Sequence, residues 1–160
     1  MSDQILARNK LFEGKYSCVL VRDGDIIMAS HGKGVAPLFS KLAEGKISFK
    51  DAAMADRIIG KALALLCLFA GITSVYGCII SDCAKNILED SGIHTGYDKI
   101  VPYIMNRDRT DRCLMEKLVE NIEDPQGAFD VISNFFGKNL LKDPPDLGAY
   151  RYKNKEFRNE

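Results

Sequence analysis

This 160-residue chain has no tryptophan, only two histidines and no excess of either charge, with 22 Lys plus Arg set against 22 Asp plus Glu. The balance removes the long-range field that would draw it to nucleic acid or to an anionic membrane, and no stripe alternates basic with aromatic residues. Long apolar runs are missing too. The longest, Ala62 to Ile72, is broken only by Gly71. It falls short of the ~20 residues that a bilayer span takes, so a buried helix explains it better. The first residues mix charged with apolar side chains and carry no secretory pattern. The cysteines are odd in number, and three of them, Cys18, Cys67 and Cys78, lie inside apolar segments. That reads as free thiols in a reducing cytoplasm, not as a disulfide framework.

What remains is ordinary globular material. The chain is 46% apolar and long enough to bury one core without a metal or disulfides. The spacing predicts one domain over residues 1–137, followed by a polar tail, 138–160, with Pro144-Pro145 and aromatics scattered among charges. Residues 3–12 read as a short amphipathic helix. Tyr16 to Val21 and Asp25 to Ser30 read as strands joined by an Asp23-Gly24 hairpin turn. Gly32-Lys33-Gly34 is a flexible link that matches no phosphate-binding loop. Pro37 then opens a helix that runs to about Glu44. Ser48 and Asp51 have capping-box spacing, which predicts a single buried helix from there to about Ala70.

Thr73 to Ile80 alternates little and reads as a central strand. Ser81 or Asp82 caps the next helix. Tyr97 to Ile104 reads as another strand, whose Pro102 argues for an edge position or a bulge. A polar loop, 106–112, leads to a helix from Cys113 to about Ile122. Asp124-Pro125 starts a last helix, to Gly137. A hairpin followed by alternating helices and strands implies an α/β mixed sheet with helices on its faces.

Several collinear stretches carry a resemblance: YSCVLVRDGDIIMAS, GVAPL, ADRIIGKALALL, VYGCIISDCAKNILEDSGI, YDKIVPYIMNRDRTDRC and ME. Together they resemble a bacterial domain-of-unknown-function family with a cytidine-deaminase-like fold. The resemblance implies a three-layer sandwich, a mixed sheet of about five strands with helices on both faces. The family pattern has ADK where this chain has Ala55-Asp56-Arg57, and CPME where it has Cys113-Leu114-Met115-Glu116.

A zinc deaminase needs a His (or Cys) two residues before a Glu at the start of one core helix and P-C-x-x-C at the start of the next. The matching positions read Ala55-Asp56-Arg57 and Ser81-Asp82-Cys83-Ala84. Cys78, Cys83 and His94 fit no standard zinc spacing. The expectation is a deaminase-like fold with no metal and no cofactor.

Asp56 is expected near the start of the buried helix, with Arg57 and Lys61 four apart on one face. They form either a pocket for an anionic or polar ligand or an internal salt bridge. Asn106 and Arg107, nearest a strand end, are the favoured ligand contacts of the polar loop. Arg109 and Arg112 read as solvated. Ser81 is a ligand contact or simply a helix cap. Cys113, at a helix start near arginines, is the candidate nucleophile. Its alternative is a capping box with Glu116.

The leading function is a metal-independent module that binds a small polar or anionic ligand, a nucleoside or nucleotide by fold analogy. One alternative is an enzyme using Cys113, Lys61 or Asp56 as nucleophile or acid/base. Another is a homo-oligomeric assembly subunit that uses the aromatic tail.

Overall fold

A computed structural model describes residues 1–138. In chain order the elements are α1 (Asp3–Glu13), β1 (Cys18–Arg22), β2 (Asp25–Ser30), α2 (Ala36–Glu44), β3 (Ala53–Ile59), α3 (Lys61–Ala70), β4 (Ser74–Ser81), α4 (Asp82–Asp90), β5 (His94–Val101), α5 (Leu114–Leu118) and α6 (Pro125–Lys138). The five strands form one sheet in the order β2-β1-β3-β4-β5. β1 runs antiparallel to both its neighbours, while β3, β4 and β5 are parallel. The expected mixed sheet of about five strands, with helices on both faces, is therefore what the chain forms. The expected tail lies outside the described residues apart from Lys138, which closes α6.

The two faces are covered differently. Ala7 and Leu11 of α1 pack on Val19, Val21, Ala55, Tyr76 and Cys78. The opposite face carries the larger core, in which Leu20, Met54 and Ile79 of the sheet meet Leu63, Leu65 and Leu66 of α3. α6 closes over α3 through rings. Phe129 stacks on Phe69 with centroids 4.4 Å apart, and Phe39 of α2 stacks on Phe136 at 4.9 Å. The hairpin turn uses left-handed backbone at both Asp23 (φ 53°) and Gly24 (φ 82°), as a twisted two-residue connection requires. Asp3 accepts both turn N–H groups, at 2.9 and 3.0 Å, and pins α1 to the hairpin tip.

The one helix expected from about residue 51 to Ala70 is instead a strand and a helix, with only Gly60 between them. β3 is the middle strand of five and is covered on both faces. Its Ala-Met-Ala and Ile-Ile therefore show no alternation, and a short, fully apolar run reads the same as strand or as buried helix. Asp51 lies at φ 64° in a turn and forms no capping box. Two further boundaries move. β5 ends at Val101, just before Pro102, which cannot donate to a ladder. α5 is only five residues long. β5 is an edge strand, as Pro102 suggested.

Candidate functional site

The parallel strands β3, β4 and β5 end on one rim, where α3 and α4 begin. In open α/β sheets this is the rim where ligands bind. α3 begins abruptly because its first two N–H groups have a dedicated acceptor from 55 residues away: Glu116 Oε1 takes Lys61 N–H at 2.7 Å and Oε2 takes Ala62 N–H at 3.1 Å. A carboxylate there satisfies donors that a helix leaves orphaned, and it meets the positive end of the helix dipole. Gly60 makes the approach possible, since a Cβ at that position would stand 2.3 Å from Glu116 Oε1. Glu116 thus reaches α3 instead of boxing with Cys113, whose side chain caps nothing.

Lys61 is the buried cation of the rim, 8% exposed. Its Nζ donates to the Glu120 carbonyl at 3.0 Å and to Glu123 Oε1 at 3.2 Å. The expected internal salt bridge with Asp56 does not form; Lys61 pairs instead with Glu123, whose side chain is largely exposed. Arg112 pairs with Glu120 at 2.6 Å. Lys61, Arg112, Glu116 and Glu120 line a cleft of about 270 Å³ together with Ser81, Cys83, Pro102 and Tyr103. Pro102 and Tyr103 also wall an adjoining apolar cavity of about 200 Å³, formed with Ile58, Ile79, Val101, Ile104 and Met105.

The remaining expected site residues are dispersed. Asp56 is mid-strand in β3, paired with Cys18 and Gly77 across the ladders and 1% exposed. Its Oδ1 accepts Ile58 N–H at 3.0 Å. Arg57 lies on the opposite face. It donates from Nε to Tyr16 O at 2.8 Å and from Nη2 to Leu11 O at 3.2 Å, with its guanidinium over the Phe12 ring. It closes the end of α1 and shares no face with Lys61, because the four-residue spacing crosses a strand–helix junction. Ser81 caps α4, accepting Ala84 N–H at 3.2 Å, and also borders the cleft. Asn106 closes its own loop on Thr110 through two 3.1 Å bonds. Arg107 is half-buried in that loop. Cys113 is buried in the main core.

Cys78 faces α1, Cys83 lies in the cleft and His94 opens β5. Among the described residues no three His, Cys, Asp or Glu side chains gather as a metal site would require. A family model described as a domain of unknown function, DUF1893, matches residues 6–136.

The chain belongs to the DUF1893 family. A crystal structure of a DUF1893 family protein from Thermotoga maritima is 24% identical, with a TM-score of 0.75, over 85% of this chain and 92% of that one. That likeness bears on the fold. A diaminohydroxyphosphoribosylaminopyrimidine deaminase/5-amino-6-(5-phosphoribosylamino)uracil reductase, also from Thermotoga maritima, is 16% identical with a TM-score of 0.40, over 51% of this chain and 28% of that one. A tRNA:A34 deaminase that edits A to I at the wobble position is 17% identical with a TM-score of 0.32, over 50% and 73%. No curated protein matches the chain.

On this DUF1893 domain the cleft includes Pro102, Tyr103 and Glu120, which were not expected at a site, and Cys83, which was weighed only as a metal ligand. Arg112 had read as solvated. Cys83 is the exposed cysteine among the five. Partial burial pushes its thiol up, with Glu116 and Glu123 adding to the rise and Lys61 opposing it. Less thiolate means slower attack. A thiol reagent near neutral pH is therefore expected to modify Cys83 first, yet several-fold more slowly than a free thiol, with Cys113 protected until unfolding. Peptide mapping of the labelled protein checks this, and first labelling at Cys113 would contradict the buried placement.

Proposed function

We propose that this chain is a metal-independent, deaminase-like binding module. Its site is the rim cleft, and its ligand is a small polar molecule of the nucleoside or nucleotide class. The observation that carries the reading is the pair of neighbouring cavities that share Pro102 and Tyr103 in their walls, one bordered by Lys61, Ser81 and Arg112 and the other lined mostly by apolar side chains. A ring in the apolar part would place its polar substituents in the cleft, the division of labour common to small-molecule sites. Zinc does not fit the donors present. The helix starts that face the rim read Gly60-Lys61-Ala62 and Ser81-Asp82-Cys83-Ala84, with one thiol and no imidazole. No described helix is long and apolar enough to cross a membrane. Cytoplasmic residence belongs to the same proposal and is supported by the buried free thiols.

The test is the stability of metal-stripped protein against nucleosides, nucleotides and other small polar compounds, with and without zinc. A ligand of the native state at a hundredfold over its dissociation constant is expected to add about 2.7 kcal/mol. Lys61→Met is expected to abolish that gain, because it removes the buried cation of the cleft. A gain that requires zinc would overturn metal independence. A flat panel would overturn binding itself.

A further inference from the structure

We infer that the outer edge of β5 docks a second copy of this chain, the two β5 strands pairing antiparallel about a two-fold axis at Tyr97. The surface lies away from the rim cleft and is independent of the binding reading above. Among the described residues β5 has a neighbouring strand on one side only, β4. Their register is regular, from Ser74 opposite His94 to Ser81 opposite Val101. His94 N–H is given to the Thr73 carbonyl, so Thr95, Tyr97 and Lys99, the alternate residues, turn their backbone N–H and C=O groups outward from the sheet. Five of the eight β5 residues are exposed, Tyr97 at 38% and Ile100 at 40%.

The two edges of the sheet are built differently. β2 pairs through an irregularity at Leu20 and Val21, and a bulge of this kind turns an edge away from other strands. β5 has no such guard, and a long, regular, partly apolar edge is a template for another strand.

The sequence of β5 suits its own copy. A two-fold axis normal to the sheet keeps each side chain on its own face, so opposing residues are both odd-numbered or both even-numbered. An axis at Asp98 sets two carboxylates against each other, and an axis at Lys99 two ammonium groups, which destabilises either pairing. An axis at Gly96 engages only Thr95 and Tyr97, because Ile93 N–H already goes to the Leu88 carbonyl. The axis at Tyr97 engages Thr95, Tyr97 and Lys99 of both strands. It sets Lys99 against the partner's Thr95, Asp98 against the partner's Gly96 and Ile100 against the partner's His94, with no like charges opposed. The right-handed twist then brings Asp98 toward the partner's His94, a hydrogen-bond donor for its carboxylate. Pro102, with no N–H to give, falls beyond the paired stretch.

The test is the mass of the full chain in solution, read by sedimentation, and a dimer is expected. Tyr97→Pro removes an N–H that points away from β4, so it costs the strand no bond within its own sheet, and it is expected to sediment as a monomer. Tyr97→Asp changes only an exposed side chain and opposes two carboxylates across the axis. It is expected to give a monomer with an unchanged circular dichroism spectrum. Amide exchange locates the contact. Thr95 and Lys99 N–H are expected to exchange slowly in the dimer and about a hundredfold faster in Tyr97→Asp, while Gly96 and Asp98 N–H, which face β4, stay slow in both. A wild-type chain that sediments as a monomer would overturn the inference, and slow Thr95 and Lys99 amides in that monomer would assign the edge to another segment of the chain. A dimer that survives both variants would overturn it equally, by placing the contact elsewhere on the surface.

Discussion

Replacing Gly60 with alanine is expected to destabilise the protein by about 2 kcal/mol, an unusual cost for adding one methyl group at a helix start. The backbone there is extended, with φ −103° and ψ −175°, which alanine adopts without strain. By itself the change should even stabilise slightly, by restricting the unfolded chain. The cost comes from Glu116, whose Oε1 stands 2.3 Å from the added Cβ and must leave. Its departure removes charge-assisted bonds to Lys61 N–H and Ala62 N–H, and such bonds contribute about 1.5–3 kcal/mol. A double-mutant cycle isolates the effect. In a Glu116→Ala background, Gly60→Ala is expected to be close to neutral, so the two changes couple strongly instead of adding. Urea unfolding of the four proteins measures this, and additive costs would refute the account of why residue 60 is glycine.

Alkali provides the second large effect. Cys18 of β1 and Cys67 of α3 are buried in the main core, and burial pushes both thiols well above the ordinary thiol range. The neighbouring Asp56 charge pushes them further in the same direction. In the unfolded chain they ionise near their usual pKa of ~8.5. Below that pH both states hold the protons and stability is unaffected. Above it the native state binds more protons than the unfolded one, so stability falls as pH rises. Two thiols held protonated give a loss of about 4 kcal/mol between pH 8 and 10. Tyr76, raised by burial and by its hydrogen bond to Asp98, extends the decline at still higher pH. Denaturant unfolding across that range should show the slope, and Cys67→Ala should reduce it by about half. Asp56→Asn should leave most of it in place, because burial is the larger cause. An unchanged slope in Cys67→Ala would remove the assignment.

Much of this fold could be read from local rules that tertiary packing did not override. Asp23-Gly24 gave the hairpin, Pro37 the start of α2, Ser81 the cap of α4, and Asp124 the cap of α6, where its Oδ2 accepts Gly127 N–H at 2.7 Å. β3 escaped because a central strand and a buried helix are apolar for the same reason. A single glycine between them looks like a tolerated helix residue until its neighbour in space is known. That error carried into the site. With Asp56 and Arg57 placed on a helix, they seemed to join Lys61. On a strand they point to opposite faces, one into the main core and the other to α1. Lys61 stood out as a charge in an apolar run and Ser81 as a helix cap, and both lie at element boundaries on the rim. The role of Glu116 could not be found by spacing rules, since it joins residues 55 apart. Gly60, a residue with no turn to make, was the one local sign that something approaches closely.

The covering of the second sheet face by α1 also sets an order of events during synthesis. Gln4 donates its side-chain amide to Ser74 Oγ, to the Val75 carbonyl and to the His94 carbonyl, and Leu11 rests against residues as late as Tyr76 and Cys78. The helix is made early, and the surface that receives it is finished some eighty residues later. At typical translation rates that interval is about 4–16 s. Throughout it Ala7 and Leu11 stay wet, and the nascent chain presents an apolar stripe to whatever meets it at the ribosome exit.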